Sequence, residues 1–120
     1  MLAHVGPAPR IAVECAGEGP FVLFLHGIGG ARVQWRPQLD GLADAFRCAA
    51  WDARGYGDSD DYEGPLDFGV FVDDVLRVLD HFGLARAHIV GLSMGGRIAR
   101  EVALRAPERV ARLVLANTSP

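Results

Sequence analysis

Five short and largely apolar runs recur along the chain, at residues 11–17, 21–27, 48–52, 87–91 and 110–116. The run 21–27 is continuously apolar as far as its last two residues and lacks the alternation of a half-buried strand. A run of this kind is typical of a strand that is buried on both faces, as in a parallel sheet. The first ten residues have no such pattern, and we expect them, including His4, to be flexible.

Between these runs, apolar residues recur at the spacing of an amphipathic helix in the segments 35–46, 68–82 and 98–106. Asp67 is a candidate N-cap of the second helix, and Gly83 is a candidate stop. Pro107 ends the third helix because proline cannot continue a helix. Buried strands that alternate with amphipathic helices predict an α/β fold, with a mostly parallel sheet flanked by helices and right-handed crossovers.

Composition narrows the functional classes. The chain has 120 residues, of which 50% are hydrophobic and 22% charged, which fits one globular domain. Its net charge is −3, so nucleic acid and anionic membranes are not expected partners, because both need a basic face. All 12 basic residues are arginine, which excludes a lysine nucleophile, a Schiff base and a P-loop lysine within this chain.

The sequence also predicts a location in the cell. No apolar run approaches the roughly 18 residues that span a bilayer, and the first ten residues do not resemble a signal peptide. Cys15 and Cys48 lie inside predicted strands without metal-type spacing, which favours reduced core thiols. We therefore expect a cytoplasmic protein.

A first glycine-rich turn, His26-Gly27-Ile28-Gly29-Gly30-Ala31-Arg32, lies between a predicted strand and a predicted helix. Asp52 ends the next strand, as an acid that binds a ribose does in a dinucleotide-binding unit. However, the G-x-G-x-x-G pattern requires glycine where Arg32 stands, and a long side chain there blocks close packing of helix and strand. A Rossmann-like nucleotide-binding domain is therefore only an alternative.

A second glycine-rich turn, Gly91-x-Ser93-x-Gly95, matches the pattern of a nucleophile elbow. In such an elbow a sharp turn from strand to helix raises one side chain above the edge of the sheet. The flanking glycines relieve crowding, and the N-terminus of the helix supplies amide donors. The alternative is that Ser93 is an ordinary helix N-cap.

Three motifs in order make the chain resemble the N-terminal half of an α/β-hydrolase. They are His26-Gly27, Asp52-x-Arg54-Gly55-x-Gly57-x-Ser59 and Gly91-Leu92-Ser93-Met94-Gly95-Gly96. The resemblance extends from about residue 11 to residue 120 and implies an incomplete hydrolase core of about six strands and three main helices. The ending Leu115-Ala116-Asn117-Thr118 is similar to that of enol-lactone hydrolases.

The resemblance implies a role for each of these residues. Ser93 would be the nucleophile, which distinguishes the chain from the dehalogenase and epoxide hydrolase branches, where aspartate stands. The backbone N–H groups of Ile28 and Met94 would form the oxyanion hole. The supporting residues would be His26, Gly27, Gly91 and Gly95. The substrate would be a small carboxylic ester, thioester or lactone, and the reaction would need no metal or organic cofactor.

The loop after the third predicted strand contains a run of acidic residues, Asp58, Asp60, Asp61 and Glu63. We expect these side chains to lie on the solvated surface.

The residues that follow Ser93 lack part of the expected machinery. In this fold the acid and then the histidine follow the serine, yet only Glu101 and Glu108 follow it, and no histidine does. We therefore expect residues 1–120 to be the N-terminal part of a single α/β-hydrolase domain without its lid and C-terminal strands. The alternative is a non-catalytic, truncated hydrolase-like module. The last strand would be an open edge through which the chain could associate with itself.

Overall fold

The computed structural model describes residues 1–62, 64 and 67–116. These residues form a six-stranded sheet in the order β1-β2-β4-β3-β5-β6. The strands are β1 (Leu2–Val5), β2 (Ile11–Ala16), β3 (Phe21–Leu25), β4 (Arg47–Trp51), β5 (Ala87–Leu92) and β6 (Val110–Ala116). Strands β4, β3, β5 and β6 are parallel, whereas β1 and β2 join the sheet by antiparallel pairing. The predicted α/β fold with a mostly parallel sheet is confirmed.

Within the described ranges, three α-helices cover the two faces of the sheet. They are α1 (Arg36–Leu42), α2 (Phe68–His81) and α3 (Met94–Arg105), with short 3-10 turns at Arg32–Trp35 and Pro107–Arg109. Helices α2 and α3 bury their apolar stripes against one face, where Leu23, Trp51 and Ile89 are fully buried. Trp35 and Leu39 pack on the other face. Cys15 and Cys48 are free and buried, as the sequence predicts.

The predicted helix ends are confirmed by their local geometry. The carboxylate of Asp67 accepts a hydrogen bond of 2.7 Å from the N–H of Gly69, which satisfies one free donor at the start of α2. Gly83 follows α2 with a φ of +69°, a conformation that costs glycine little. Pro107 opens the 3-10 turn after α3, where its missing N–H is not needed.

Two sequence expectations are wrong. The start of the chain is not a flexible segment, because Leu2–Val5 pairs with β2 and places His4 in a strand. Helix α1 ends at Leu42 and not near residue 46, because the N–H groups of Ala45 and Phe46 turn back to the carbonyl of Leu42. The expectations for Glu63, for the ending Asn117-Thr118 and for a boundary at residue 120 lie outside the described residues.

A buried carboxylate joins three parts of the fold. Asp74 of α2 is fully buried and accepts two hydrogen bonds of 2.7 Å from Arg54, in the loop after β4. It also binds Arg77 at 2.8 Å, and Arg77 donates to the carbonyls of Pro7 and Pro9 between β1 and β2. A buried charge needs paired partners of this kind. Asp74 therefore fixes the loop after β4 and the β1–β2 turn to α2.

Strand β6 forms one edge of the described sheet, as predicted for the last strand. Its side chains are unusually exposed for apolar residues, with Leu113 at 36%, Val114 at 53% and Leu115 at 41% of their accessible surface. Self-association through this edge stays a prediction. None of the helices in the described ranges has the length and apolar character needed to cross a bilayer.

Candidate active site

Ser93 occupies the turn between β5 and α3. Its φ of +55° and ψ of −113° make it the one non-glycine residue with positive φ among residues 1–62, 64 and 67–116. Such a conformation costs on the order of 1–3 kcal/mol and persists only where the surrounding structure enforces it. The side chain is exposed and makes no capping hydrogen bond, although Ser93 stands at the N-cap position of α3. The alternative of an ordinary N-cap serine is therefore not supported.

The flanking glycines allow this turn to approach the sheet. A β-carbon on Gly91 would lie 2.6 Å from the Cα of Gly96 and closer still to the carbonyl oxygen of Gly95. A β-carbon on Gly95 would lie 2.7 Å from the carbonyl oxygen of His26, and closer to that of Leu25. These neighbours are backbone atoms that cannot move aside. The glycines are thus required by the packing of the elbow against the end of β3.

The first glycine-rich turn lies directly against Ser93. Leu25 of β3 is level with Gly91 of β5 in the parallel register, so both strands end at the same edge. A β-carbon on Gly27 would lie 3.2 Å from Cβ and 3.8 Å from Oγ of Ser93. Within the described part of the chain, the N–H groups of Ile28 and Met94 donate to no acceptor. The predicted oxyanion donors are therefore unpaired, one in each turn.

His26 braces the turn that carries Ile28. The N–H of Ala53 donates to its Nε2 at 3.1 Å, so Nε2 carries no proton. The proton is on Nδ1, which lies 2.8 Å from the carbonyl oxygen of Gly27. Burial lowers the pKa of the imidazole, although the Gly27 carbonyl and Asp52 oppose this shift. Because backbone groups occupy both nitrogens, His26 is a neutral brace and not a general base for Ser93.

This neutral histidine makes stability depend on pH. The unfolded imidazole has its ordinary pKa of about 6.5, whereas the buried one resists protonation. The unfolded state therefore binds more protons as pH falls through about 6.5, and the free energy of unfolding decreases there. Above about pH 7.5 both states are neutral and this contribution is constant. Urea denaturation of the full-length protein between pH 5.5 and 8 measures the effect.

The control for this pH dependence is a second histidine. His26→Gln is expected to remove the decrease in stability between pH 7.5 and 5.5, because glutamine does not titrate. His81→Gln, at the exposed end of α2, is expected to keep it. Identical profiles for His26→Gln and the wild type would contradict the assignment of a neutral, buried His26.

Asp52 stabilises the first glycine-rich turn through hydrogen bonds. It is fully buried and accepts hydrogen bonds from the N–H of Arg32 at 2.7 Å and of Asp58 at 2.9 Å. Its carboxylate also pairs with the guanidinium of Arg32. Asp52 is therefore occupied by protein groups and is not free to bind a ribose, which argues against the nucleotide-binding alternative.

A pocket of about 310 Å³ opens beside Ser93. Its walls come from four different parts of the chain, and its lining residues are Ile28, Tyr56, Tyr62, Phe68, Phe71, Ser93, Met94 and Arg97. The side chains of Ile28 and Met94, whose N–H groups are the predicted oxyanion donors, line the pocket. The aromatic wall and Arg97 were not predicted from the sequence. Helical spacing could have identified Arg97, since it lies one turn of α3 beyond Ser93.

No second member of a catalytic triad accompanies Ser93 among the described residues. Glu101 lies in α3 and Glu108 in the following 3-10 turn, and neither is part of the pocket. His88 is at the other end of β5, five residues and therefore roughly 16 Å from Ser93. The described ranges also contain no cluster of three or more histidine, cysteine, aspartate or glutamate side chains that could hold a metal ion.

The fold and this elbow define a class of protein. A family model described as the alpha/beta hydrolase fold matches residues 20–120. The chain belongs to the α/β-hydrolase family.

Individual relatives agree with this assignment. The chain is 39% identical over 115 residues to the RutD protein of Azorhizobium caulinodans, to which a carbamate hydrolase activity is provisionally assigned; the match covers 96% of this chain and 43% of RutD. A hydrolase from Pseudomonas aeruginosa has a TM-score of 0.93 and 38% identity, covering 98% of this chain and 46% of that one. The enol-lactonase from Burkholderia xenovorans has a TM-score of 0.91 and 32% identity, covering 99% and 47%. The chain spans less than half the length of these relatives.

Proposed function

We propose that the full-length protein is a serine hydrolase that forms an acyl-enzyme on Ser93. The observation that carries the proposal is the exposure and backbone conformation of Ser93. It is exposed, makes no cap, is held in a strained turn and lines a pocket beside Gly27. A strained conformation at the mouth of a pocket is typical of a catalytic group.

In the proposed reaction, Oγ of Ser93 attacks the carbonyl carbon of the substrate and loses its proton to a base. The negative charge that develops on the carbonyl oxygen is stabilised by the N–H groups of Ile28 and Met94. The C–O or C–S bond to the leaving group breaks, and the leaving group takes up the proton. Water then releases the acyl group as a carboxylate and restores Ser93. The base and the acid that orients it come from the rest of the full-length protein.

The substrate class is a small carboxylic ester, thioester or lactone. The pocket volume of about 310 Å³ is at the lower end of ligand sites, which favours a small acyl group. The names of the relatives, one an enol-lactonase and one provisionally a carbamate hydrolase, support acyl transfer to water. Hydrolysis, rather than perhydrolysis or cleavage of a C–C bond, and a cytoplasmic location remain predictions.

A fluorophosphonate probe tests the role of Ser93 directly, because it reacts with activated serine hydroxyls. We expect the full-length protein to be labelled at this residue. Trypsin separates the candidates, since Ser93 is released in the peptide 87–97 and Ser59 in the peptide 55–77. Ser59 is the internal control, because its hydroxyl accepts a hydrogen bond from the N–H of Ala12 and donates one to the carbonyl of Asp52.

The expected result is phosphonylation confined to the Ser93 peptide and absent from the Ser93→Ala variant. A folded protein that stays unlabelled, or that is labelled only elsewhere, would reject the proposal and favour the non-catalytic alternative.

A further inference from the structure

We propose that Arg97 binds a carboxylate on the acyl part of the substrate, so that the enzyme prefers half-esters of dicarboxylic acids over neutral esters. This inference rests on the proposed function. The inference adds a substrate class and a specificity-determining residue to the proposed function.

Arg97 shares the pocket with the nucleophile. It lies in the first turn of α3, four residues after Ser93, and both side chains line the same pocket. The N–H of Arg97 donates a hydrogen bond of 3.1 Å to the carbonyl of Ser93, so the two residues are about one helical turn apart. A group held by Arg97 is therefore only a few bonds from a carbonyl carbon at Ser93.

An aromatic ring, and not an acid, holds the guanidinium of Arg97. Its Cζ lies 4.5 Å from the centroid of the Phe68 ring, which also lines the pocket. A guanidinium can stack on an aromatic face while its N–H groups stay available at its edge. The stacking therefore positions the cation and leaves its hydrogen-bond donors free for a ligand.

The absence of an ion pair distinguishes Arg97 from most other arginines. Seven arginines pair with carboxylates of the described residues, namely Arg10, Arg32, Arg36, Arg54, Arg77, Arg105 and Arg109. Arg97 has no such partner in the part of the chain that the structure describes, although acidic residues outnumber basic ones 15 to 12. The guanidinium of Arg97 is therefore available to a ligand that enters the pocket.

The chemistry of the pocket favours a carboxylate as that ligand. Apart from Arg97, every lining residue that the structure describes is apolar, aromatic or a hydroxyl-bearing side chain, so none of these repels an anion or competes for a cation. The planar guanidinium matches a carboxylate with two parallel hydrogen bonds. The short distance to Ser93 fits acyl groups such as succinyl or glutaryl, whose second carboxylate lies a few carbons from the first.

Two matched esters test this inference on the full-length protein. Mono-p-nitrophenyl glutarate carries the carboxylate, and p-nitrophenyl 5-methylhexanoate replaces it by a neutral isopropyl group of the same shape. In each reaction water cleaves the ester to a carboxylate and p-nitrophenol. We expect the wild type to have the higher kcat/KM for the glutarate half-ester. The ratio of the two kcat/KM values should fall about tenfold in Arg97→Gln, since one charge-assisted contact is lost.

Arg86→Gln is the matched control. Arg86 is exposed, precedes β5 and therefore lies at the opposite end of the strand that leads to Ser93. This variant removes the same charge and is expected to change the ratio by less than twofold. Because the ratio is taken within each protein, differences in folded fraction cancel. Arg97→Lys should keep part of the preference, since it keeps the charge but not the paired geometry.

The outcomes separate this inference from the proposed function. A wild-type ratio at or below one would overturn the role of Arg97 whatever its variants do. An unchanged ratio in Arg97→Gln, or an equal loss in Arg86→Gln, would overturn it as well. In these cases Ser93-dependent hydrolysis of the neutral ester leaves the proposed function intact. Hydrolysis of neither ester, together with no labelling of Ser93, would reject the proposed function itself.

Discussion

Replacing Ser93 with alanine in the full-length protein is expected to lower kcat for a small p-nitrophenyl ester by about 10⁴- to 10⁶-fold. The variant keeps the pocket and the two amide donors but has no nucleophile. The remaining rate is that of oxyanion stabilisation and substrate positioning alone. Steady-state kinetics with p-nitrophenyl acetate measures the loss.

Folding is the control for this variant. The Ser93 side chain makes no hydrogen bond within the described residues, so its removal should leave the midpoint of urea denaturation nearly unchanged. A Ser93→Ala variant that retains more than a tenth of the wild-type kcat would show that the nucleophile is another group.

Gly95→Ala is expected to destabilise the protein by roughly 3 kcal/mol, the upper end of the usual cost of overpacking. The added methyl group would meet the carbonyl oxygens of Leu25 and His26, which belong to the end of β3 and the first glycine-rich turn. Neither atom can move without shifting the turn that carries Ile28. Relieving the clash therefore separates the elbow from its neighbouring turn, and activity should fall with stability. Urea denaturation of the full-length protein measures the change.

Gly41→Ala provides the matched control. Gly41 lies in α1, where an added β-carbon would meet nothing within 4 Å. Alanine has the higher helix propensity, so this variant is expected to be as stable as the wild type or up to about 1 kcal/mol more stable. If Gly95→Ala were as stable as Gly41→Ala, the packing described for the elbow would be wrong.

The pattern of apolar residues predicted the interior of the fold well. The run 21–27 predicts a buried strand, and the strand observed there, Phe21–Leu25, is buried at all five residues. The N-cap at Asp67 and the stop at Gly83 were also read correctly. These features depend on residues that are close in sequence, where periodicity and capping chemistry apply directly.

Two features that depend on distant residues, strand β1 and the walls of the pocket, were missed. Strand β1 is held by backbone pairing to β2, and its side chains at Leu2 and His4 are exposed, so no apolar pattern marks it. In the pocket, Tyr56 from the loop after β4 and Phe68 from α2 lie beside Ser93. No pattern among residues close in sequence predicts such a contact. The family resemblance did imply that the elbow meets the first glycine-rich turn, and this contact follows from the placement of β3 beside β5.

The buried carboxylate of Asp74 has a consequence for ligand affinity. It fastens the loop after β4, which carries Tyr56 of the pocket wall, to a helix that is part of the core. A wall that is already ordered loses little conformational entropy when a small molecule arrives. The ordering of this part of the wall is therefore expected to take little from the free energy of binding.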